Sequence, residues 1–389
     1  MLDVIVDPAR PGASGLSDLV WHTARELSAL GDNVTIVGVY AADTPLPPGK
    51  VRIHRVAPPP KVVALERLGV TILHATVRAA RALRHLPPPD VVYTPDFVSG
   101  GIAARLNPQL LVVCSTQGNI HERLATKGNP FGWPRTQIYK VATHLAVAHA
   151  AHIVVASEAM AEWWRRSGAR PSCTSVIPVG TDLTFYRREL GTRARLGVDE
   201  GVELVLFAAR LSPEKNASLV LRAVAALAPS RPDLRLHLCG AGPEEGALRS
   251  LARTLGLESV VTFAGWVDAE RLRDYYSAAD VLVLPSISEP LARTMLDAMA
   301  CATFVIATSV GGSGDVIAHG RNGLLLSPRD VGTWRDAIAH ALDHPAWRLG
   351  LAAQGRATVA ERCSWPVVGR RIREEVLLKV IETRGAPAA

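Results

Sequence analysis

The chain has 389 residues, long enough for two domains with separate cores. Apolar residues make up 48% and charged residues 20%, which excludes a disordered chain. The net charge of +7 is a mild field that suits anionic substrates; it is not the dense basic stripe of a nucleic-acid binder, so no nucleic-acid partner is expected.

The opening residues, MLDVIVDPARPG, have no cationic segment and no long apolar run, so no signal peptide is expected. No apolar run is long enough to span a membrane. Cys114, Cys173, Cys239, Cys301 and Cys363 are scattered and lack metal-ligand spacing. They read as buried thiols in a reducing, cytoplasmic compartment, with no metal bound.

Apolar strand-like runs alternate with amphipathic stretches along the whole chain. The first half carries strands at 2–6, 34–39, 51–56, 90–93, 110–115, 153–156 and 175–178. Between the first two, Leu16, Leu19, Val20, Thr23, Leu27 and Leu30 share one helical face. Pro-rich runs at 45–48, 58–60 and 87–89 read as surface loops. Residues 64–86 form an apolar segment with Arg67, Arg78, Arg81 and Arg84, so peripheral membrane contact is conceivable beside an ordinary surface helix. Residues 118–140 read as a long polar loop. The second half carries strands at 204–208, 234–239, 260–264, 281–284, 304–307 and 324–326. This alternation predicts an α/β fold of two Rossmann-like, doubly wound parallel sheets. The polar segment 180–197 separates the two sets, and the domain boundary is placed there, giving 1–185 and 186–365.

Four constellations carry chemistry. Gly12-Ala13-Ser14-Gly15 follows the first strand, where glycine amides approach a phosphate or sugar closely; a tight turn is the bland alternative. Arg210 leaves the strand 204–208 and Lys215 stands five residues on, two cations able to hold a diphosphate and neutralise a departing one. Gly240 and Gly242 form another strand-end turn, and backbone groups over 261–266, including Phe263 and Trp266, can read a nucleobase. Glu289 follows the strand 281–284, with Pro290 at the expected first helical position and Ser288 or Glu289 as cap. Asp297, eight residues on, is a second carboxylate for sugar or ribose hydroxyls, and Gly311-Gly312 makes a further turn. Amide-rich turns around a carboxylate suit a ligand with both phosphates and hydroxyls, such as a nucleotide-sugar.

The runs ARLSPEKN, CGAGP, VTFAGWV, ADVLVLPS, SEPLARTMLDAMAC and VGGSGDVI, with DVVYTPD, SEAMAEWW and VIPVGTDLTFY in the first half, resemble a retaining glycosyltransferase of the GT-B fold, family 4. The resemblance implies two domains facing across a cleft. The first would bind the acceptor and the second the donor nucleotide-sugar, and residues 366–389 would form a helix crossing back to the first domain. It implies that Arg210 and Lys215 grip the diphosphate and that Glu289 contacts the transferred sugar. Leu291, Ala292 and Arg293 would contact phosphate, and Asp297 would hold the ribose. Gln117 stands where the family often has His reaching the donor sugar, and Ala292 where it commonly has Gly; Ala there requires a negative φ. Asp96, His121, Arg123 and Lys127 fall on the acceptor side. No Asp-x-Asp occurs, and no cofactor or metal is expected. The expected reaction moves a hexose from a UDP-sugar to a small-molecule, sugar or lipid-linked acceptor by front-face displacement. A nucleotide-sugar epimerase and a non-catalytic nucleotide-sugar binder are the alternatives.

Overall fold

The computed structural model describes residues 2–5, 15–38, 48–55, 70–116 and 132–385. All thirteen expected strands are present, and they form two wholly parallel sheets of seven and six strands. Parallel strands covered on both faces are apolar throughout, which is why β8 (Glu203–Ala208), β11 (Val281–Leu284) and β12 (Phe304–Thr308) read as unbroken runs. The chain divides into two compact units, Met1–Gly180 with Trp365–Ala389, and Thr181–Ser364. The division falls between Gly180 and Thr181, five residues before the boundary placed at 185.

In the first unit the strand order is β3-β2-β1-β4-β5-β6-β7. The strands are β1 (Leu2–Ile5), β2 (Val34–Gly38), β3 (Val51–Arg55), β4 (Val92–Thr94), β5 (Val112–Thr116), β6 (His152–Val155) and β7 (Thr174–Val176). The order reverses between β1 and β4, the place where open α/β sheets bind ligands. The helix Gly15–Ala29 buries Leu19, Val20, Thr23, Ala24 and Leu27 as its periodicity predicts. Leu30 lies past its end and is 36% exposed. The expected polar loop is shorter than predicted, because Gly132–His149 is helical and takes in residues 132–140.

The C-terminal segment belongs to this first unit. Helix Trp365–Arg371 packs against Gly15–Ala29, with the Trp365 ring stacked on His22 at 4.8 Å. A Cβ on Gly180 would lie 2.3 Å from the Trp365 ring, so only glycine admits this indole. Arg373 pairs with Asp32 at 3.0 Å, and Arg371 donates to the Val176 carbonyl at 3.1 Å.

In the second unit the order is β10-β9-β8-β11-β12-β13. Beside β8, β11 and β12 stand β9 (Leu234–Cys239), β10 (Val261–Gly265) and β13 (Leu324–Leu326). The reversal falls between β8 and β11, which pair through Val205–Val281 and Leu206–Leu282. The core joins sheet residues such as Val205, Phe207, Leu236 and Val283 to helix residues such as Val220, Val224, Trp334 and Ile338. Cys114, Cys239, Cys301 and Cys363 are buried free thiols, and burial pushes the first three up to about 12; Cys173, expected to be buried, is only half-buried.

Candidate active site

At the β8–β11 reversal, β8 delivers Arg210 and Lys215 while β11 delivers Ser286 and Glu289. Neighbouring strands thus bring together residues 74 positions apart in the chain. Lys215 Nζ donates to Glu289 Oε2, and Ser286 Oγ donates to the same oxygen at 3.4 Å. Both members of the ion pair are largely shielded from water, with 19% and 11% of their side chains exposed. Arg210 is exposed and makes no hydrogen bond or ion pair with any described residue. The arrangement offers one shielded ammonium, one free guanidinium and one carboxylate at a strand-end crevice. Ser212, between the two cations, has a buried hydroxyl without a partner.

The exit loops are stitched together by backbone. Ala209 N donates to the Cys239 carbonyl at 3.0 Å and Leu211 N to the Ala241 carbonyl at 3.1 Å, while Ile287 N donates to the Glu214 carbonyl at 2.8 Å. These contacts account for the glycines after β9. A Cβ on Gly240, at φ +139°, would sit 1.9 Å from the Ala209 oxygen. One on Gly242 would sit 2.1 Å from the Leu211 oxygen. Their first task in this fold is therefore to let the turn lie across the segment that carries Arg210.

Asn216, the last residue of the run ARLSPEKN, has a role that its local sequence does not signal. It adopts the left-handed conformation, φ 54°, which Asn tolerates better than most residues. Its Nδ2 donates to the Pro285 carbonyl at 3.3 Å and the Pro328 carbonyl at 3.0 Å, tying the exits of β8, β11 and β13. Asn216→Ala is expected to cost about 1–3 kcal/mol, from two lost hydrogen bonds and left-handed strain. Urea denaturation checks this; a variant as stable as the wild type would show that the side chain ties nothing.

The loop after Glu289 corrects one expectation. The helix starts at Arg293, not Pro290, and its N-cap is Ala292 rather than Ser288 or Glu289. The physical reason is competition: Glu289 is held by Lys215, and the Pro290 carbonyl accepts from Gly312 N at 2.7 Å. Ala292 has φ −75°, so the residue replacing the common Gly meets no strain. Pro290 and Arg293 are half-buried, whereas Leu291 and Ala292 are buried. Gly311, at φ +53°, lies against the Glu289 carbonyl, where a Cβ would approach to 1.5 Å.

Asp297 is placed differently from expectation. It is 5% exposed and accepts a hydrogen bond from Thr181 Oγ1, so its carboxylate holds the first residue of the unit instead of standing open to a ribose. Phe263 is also committed, packing on the core with the Arg249 guanidinium 4.4 Å from its ring centroid. That leaves the backbone of β10, and Trp266, just past its end, is 76% exposed.

In the first unit, Asp96 caps the helix Phe97–Leu106 at the end of β4, accepting from Ser99 N at 2.8 Å. Burial raises its carboxyl above the ordinary range, against the lowering by the Ser99 and Val98 hydrogen bonds. The folded state therefore binds this proton more tightly than the unfolded chain. Stability from this group is full below the usual carboxylate value near ~4 and is lost as pH climbs to the raised value. Wild type should lose stability relative to Asp96→Asn across that window in urea titrations at stepped pH; parallel curves would refute it. Gly15 opens the helix Gly15–Ala29, and Gly12, Gln117, His121, Arg123 and Lys127 lie outside the described residues.

Two parallel doubly wound units with cations and a carboxylate at the second reversal define a GT-B glycosyltransferase. The chain belongs to the group 1 glycosyltransferases: residues 191–358 match the family described as "Glycosyl transferases group 1" and residues 14–180 the "Glycosyl transferase 4-like domain". It is 32% identical to the D-inositol 3-phosphate glycosyltransferase of Pseudarthrobacter chlorophenolicus, over 92% of this chain and 89% of that protein. Among solved structures, sucrose-phosphate synthase from Thermosynechococcus elongatus superposes with TM-score 0.81 at 24% identity, over 99% of this chain and 100% of that one. Anabaena HepE in complex with UDP-glucose superposes with TM-score 0.74 at 21% identity, over 97% and 99%. Among the described residues no helix is long and apolar enough to cross a membrane.

Proposed function

We propose that this glycosyltransferase moves a hexose from a UDP-sugar to an acceptor hydroxyl by front-face displacement with retention. The observation that carries the reading is the Lys215–Glu289 pair at the β8–β11 reversal, with Arg210, which has no partner among the described residues, on the same β8 exit. A donor diphosphate would draw Lys215 from Glu289, and Lys215 and Arg210 would together neutralise the charge that develops on the departing nucleotide. Glu289, released from Lys215, would accept a hydroxyl of the transferred sugar. The departing phosphate would take the acceptor proton, so no protein nucleophile is needed. The two cations do the work a divalent ion would do at the leaving group, and activity should survive EDTA. The UDP-glucose bound by HepE supports the uridine donor, and the relatives' activity on D-inositol 3-phosphate supports a polyol acceptor. Asp96, at the end of β4, is proposed to face that acceptor.

The test is thermal shift with UDP, GDP, ADP and TDP, each alone and as the glucose or N-acetylglucosamine conjugate. Ligand at about a hundred times Kd adds roughly 2.7 kcal/mol of stability. The UDP series should stand out, followed by α-linked product with a polyol acceptor in NMR. A preference for GDP would overturn the donor, β-linked product the mechanism, and free sugar formed without acceptor the transferase reading.

A further inference from the structure

We infer that a concavity between β3 and the helix Val70–Ala82, at the sheet edge of the first unit, binds phosphate-bearing anions at a site separate from the β8–β11 crevice. The cavity, about 340 Å³, is lined by His54, Arg55, Arg78, Arg81, Ala82 and His85. Among the described residues β3 is the terminal strand of its sheet and pairs only with β2, so no described strand covers this edge. Arg78 and Arg81 stand three residues apart and His85 four further on, the spacing that places side chains along one helical face. His54 and Arg55 come from the end of β3.

Among the described residues none that lines the cavity is acidic, and neither Arg78 nor Arg81 makes a hydrogen bond or ion pair with any described residue. That sets them apart from arginines with structural work. Arg84, on the same segment, donates to the Leu106 carbonyl and to Asn107; Arg193 and Arg348 share Asp280; Arg231 joins Glu203 to Asp343. The Arg78 and Arg81 guanidiniums on one hollow repel each other, and a bound anion relieves that repulsion. Guanidinium favours phosphate in particular, because its planar fork makes two parallel hydrogen bonds to two phosphate oxygens. The half-buried Arg78 and His54 form the inner wall, with the exposed Arg55, Arg81 and His85 at the rim. The phosphate would belong to a lipid headgroup or to a soluble phosphate compound.

The test uses the full chain with Arg78→Glu/Arg81→Glu, beside a charge-matched control, Arg253→Glu/Arg321→Glu, at exposed positions of the second unit. One arm measures the thermal shift with inorganic phosphate against chloride at equal ionic strength. The other measures co-sedimentation with vesicles of equal parts phosphatidylglycerol and phosphatidylcholine, against pure phosphatidylcholine. Phosphate held in the β8–β11 crevice is common to all three proteins, so the difference between them reads the cavity. The wild type and control should bind, and the double variant should bind at least about tenfold more weakly, at roughly 1 kcal/mol for each arginine removed. Loss confined to vesicles assigns a lipid headgroup; loss also with free phosphate assigns a soluble compound. Binding of neither probe, or equal binding by the double variant, overturns the proposal. If the double variant does not fold, Arg81→Gln, at an exposed position without partners among the described residues, repeats both arms.

Discussion

Lys215→Ala is expected to lower kcat/KM about a hundredfold to a thousandfold, the usual loss when one preorganised donor to a developing negative charge is removed. The ammonium is shielded and already aimed by Glu289 and, through it, by Ser286. Moving it onto a diphosphate needs little reorganisation, and water cannot replace it. Stability will fall too, by about 1–3 kcal/mol, because Glu289 is left partly buried without its cation. Arg210→Ala separates the two effects. Arg210 is exposed and has no partner among the described residues, so its removal should leave the urea midpoint unchanged. Its rate loss, about tenfold to a hundredfold, then reads transition-state stabilisation directly. Steady-state kinetics with the preferred UDP-sugar decides the matter: unchanged kcat/KM in both variants would remove these cations from the mechanism.

Gly311→Ala should damage folding and donor binding together. Gly311 has φ +53°, and an added Cβ would meet the Glu289 carbonyl oxygen at 1.5 Å and its carbon at 2.7 Å. These are backbone atoms and cannot swing aside as a side-chain tip would. Left-handed backbone alone costs about 1–2 kcal/mol for an L-residue, and moving the Glu289 loop raises the expected total to about 2–4 kcal/mol. The displaced loop is the one that holds Glu289 against Lys215, so UDP affinity should drop in the same variant. Gly314→Ala is the control: nothing lies within 4 Å of its Cβ position and its φ is not left-handed. Urea denaturation with UDP titration measures both effects. A Gly311→Ala protein with wild-type stability would mean that the turn is not packed as described.

The site was partly legible before folding because its main residues sit in short, distinctive runs. Arg210 and Lys215 follow a buried strand within one segment, and Glu289 follows another. Each run announces a strand end, and in parallel sheets strand ends carry ligands. The helix after Glu289 starts at Arg293, three residues beyond the Pro290 that its local sequence favours. Pro290 is a good first helical residue in isolation, but its carbonyl is taken by Gly312 N, twenty-two residues on. The eight-residue spacing from Glu289 suggests Asp297 as a second ligand carboxylate. It is buried and accepts a hydrogen bond from Thr181, 116 residues away, and no local pattern records such a partner.

The sequence alone determined the α/β class, the thirteen strands and the two sets they fall into, because continuous apolar strands and amphipathic helices are written in local periodicity; the family was legible separately, in the resemblance of its motif runs. Only the tertiary structure decided that Glu289 pairs with Lys215, that Gly240, Gly242 and Gly311 are required by neighbouring carbonyls, that Asn216 ties three strand exits, and that Arg78 and Arg81 meet His54 at a sheet edge. Those facts depend on strand order and on contacts between distant segments. Periodicity places a side chain on a face; the packing of separate elements chooses what that face meets.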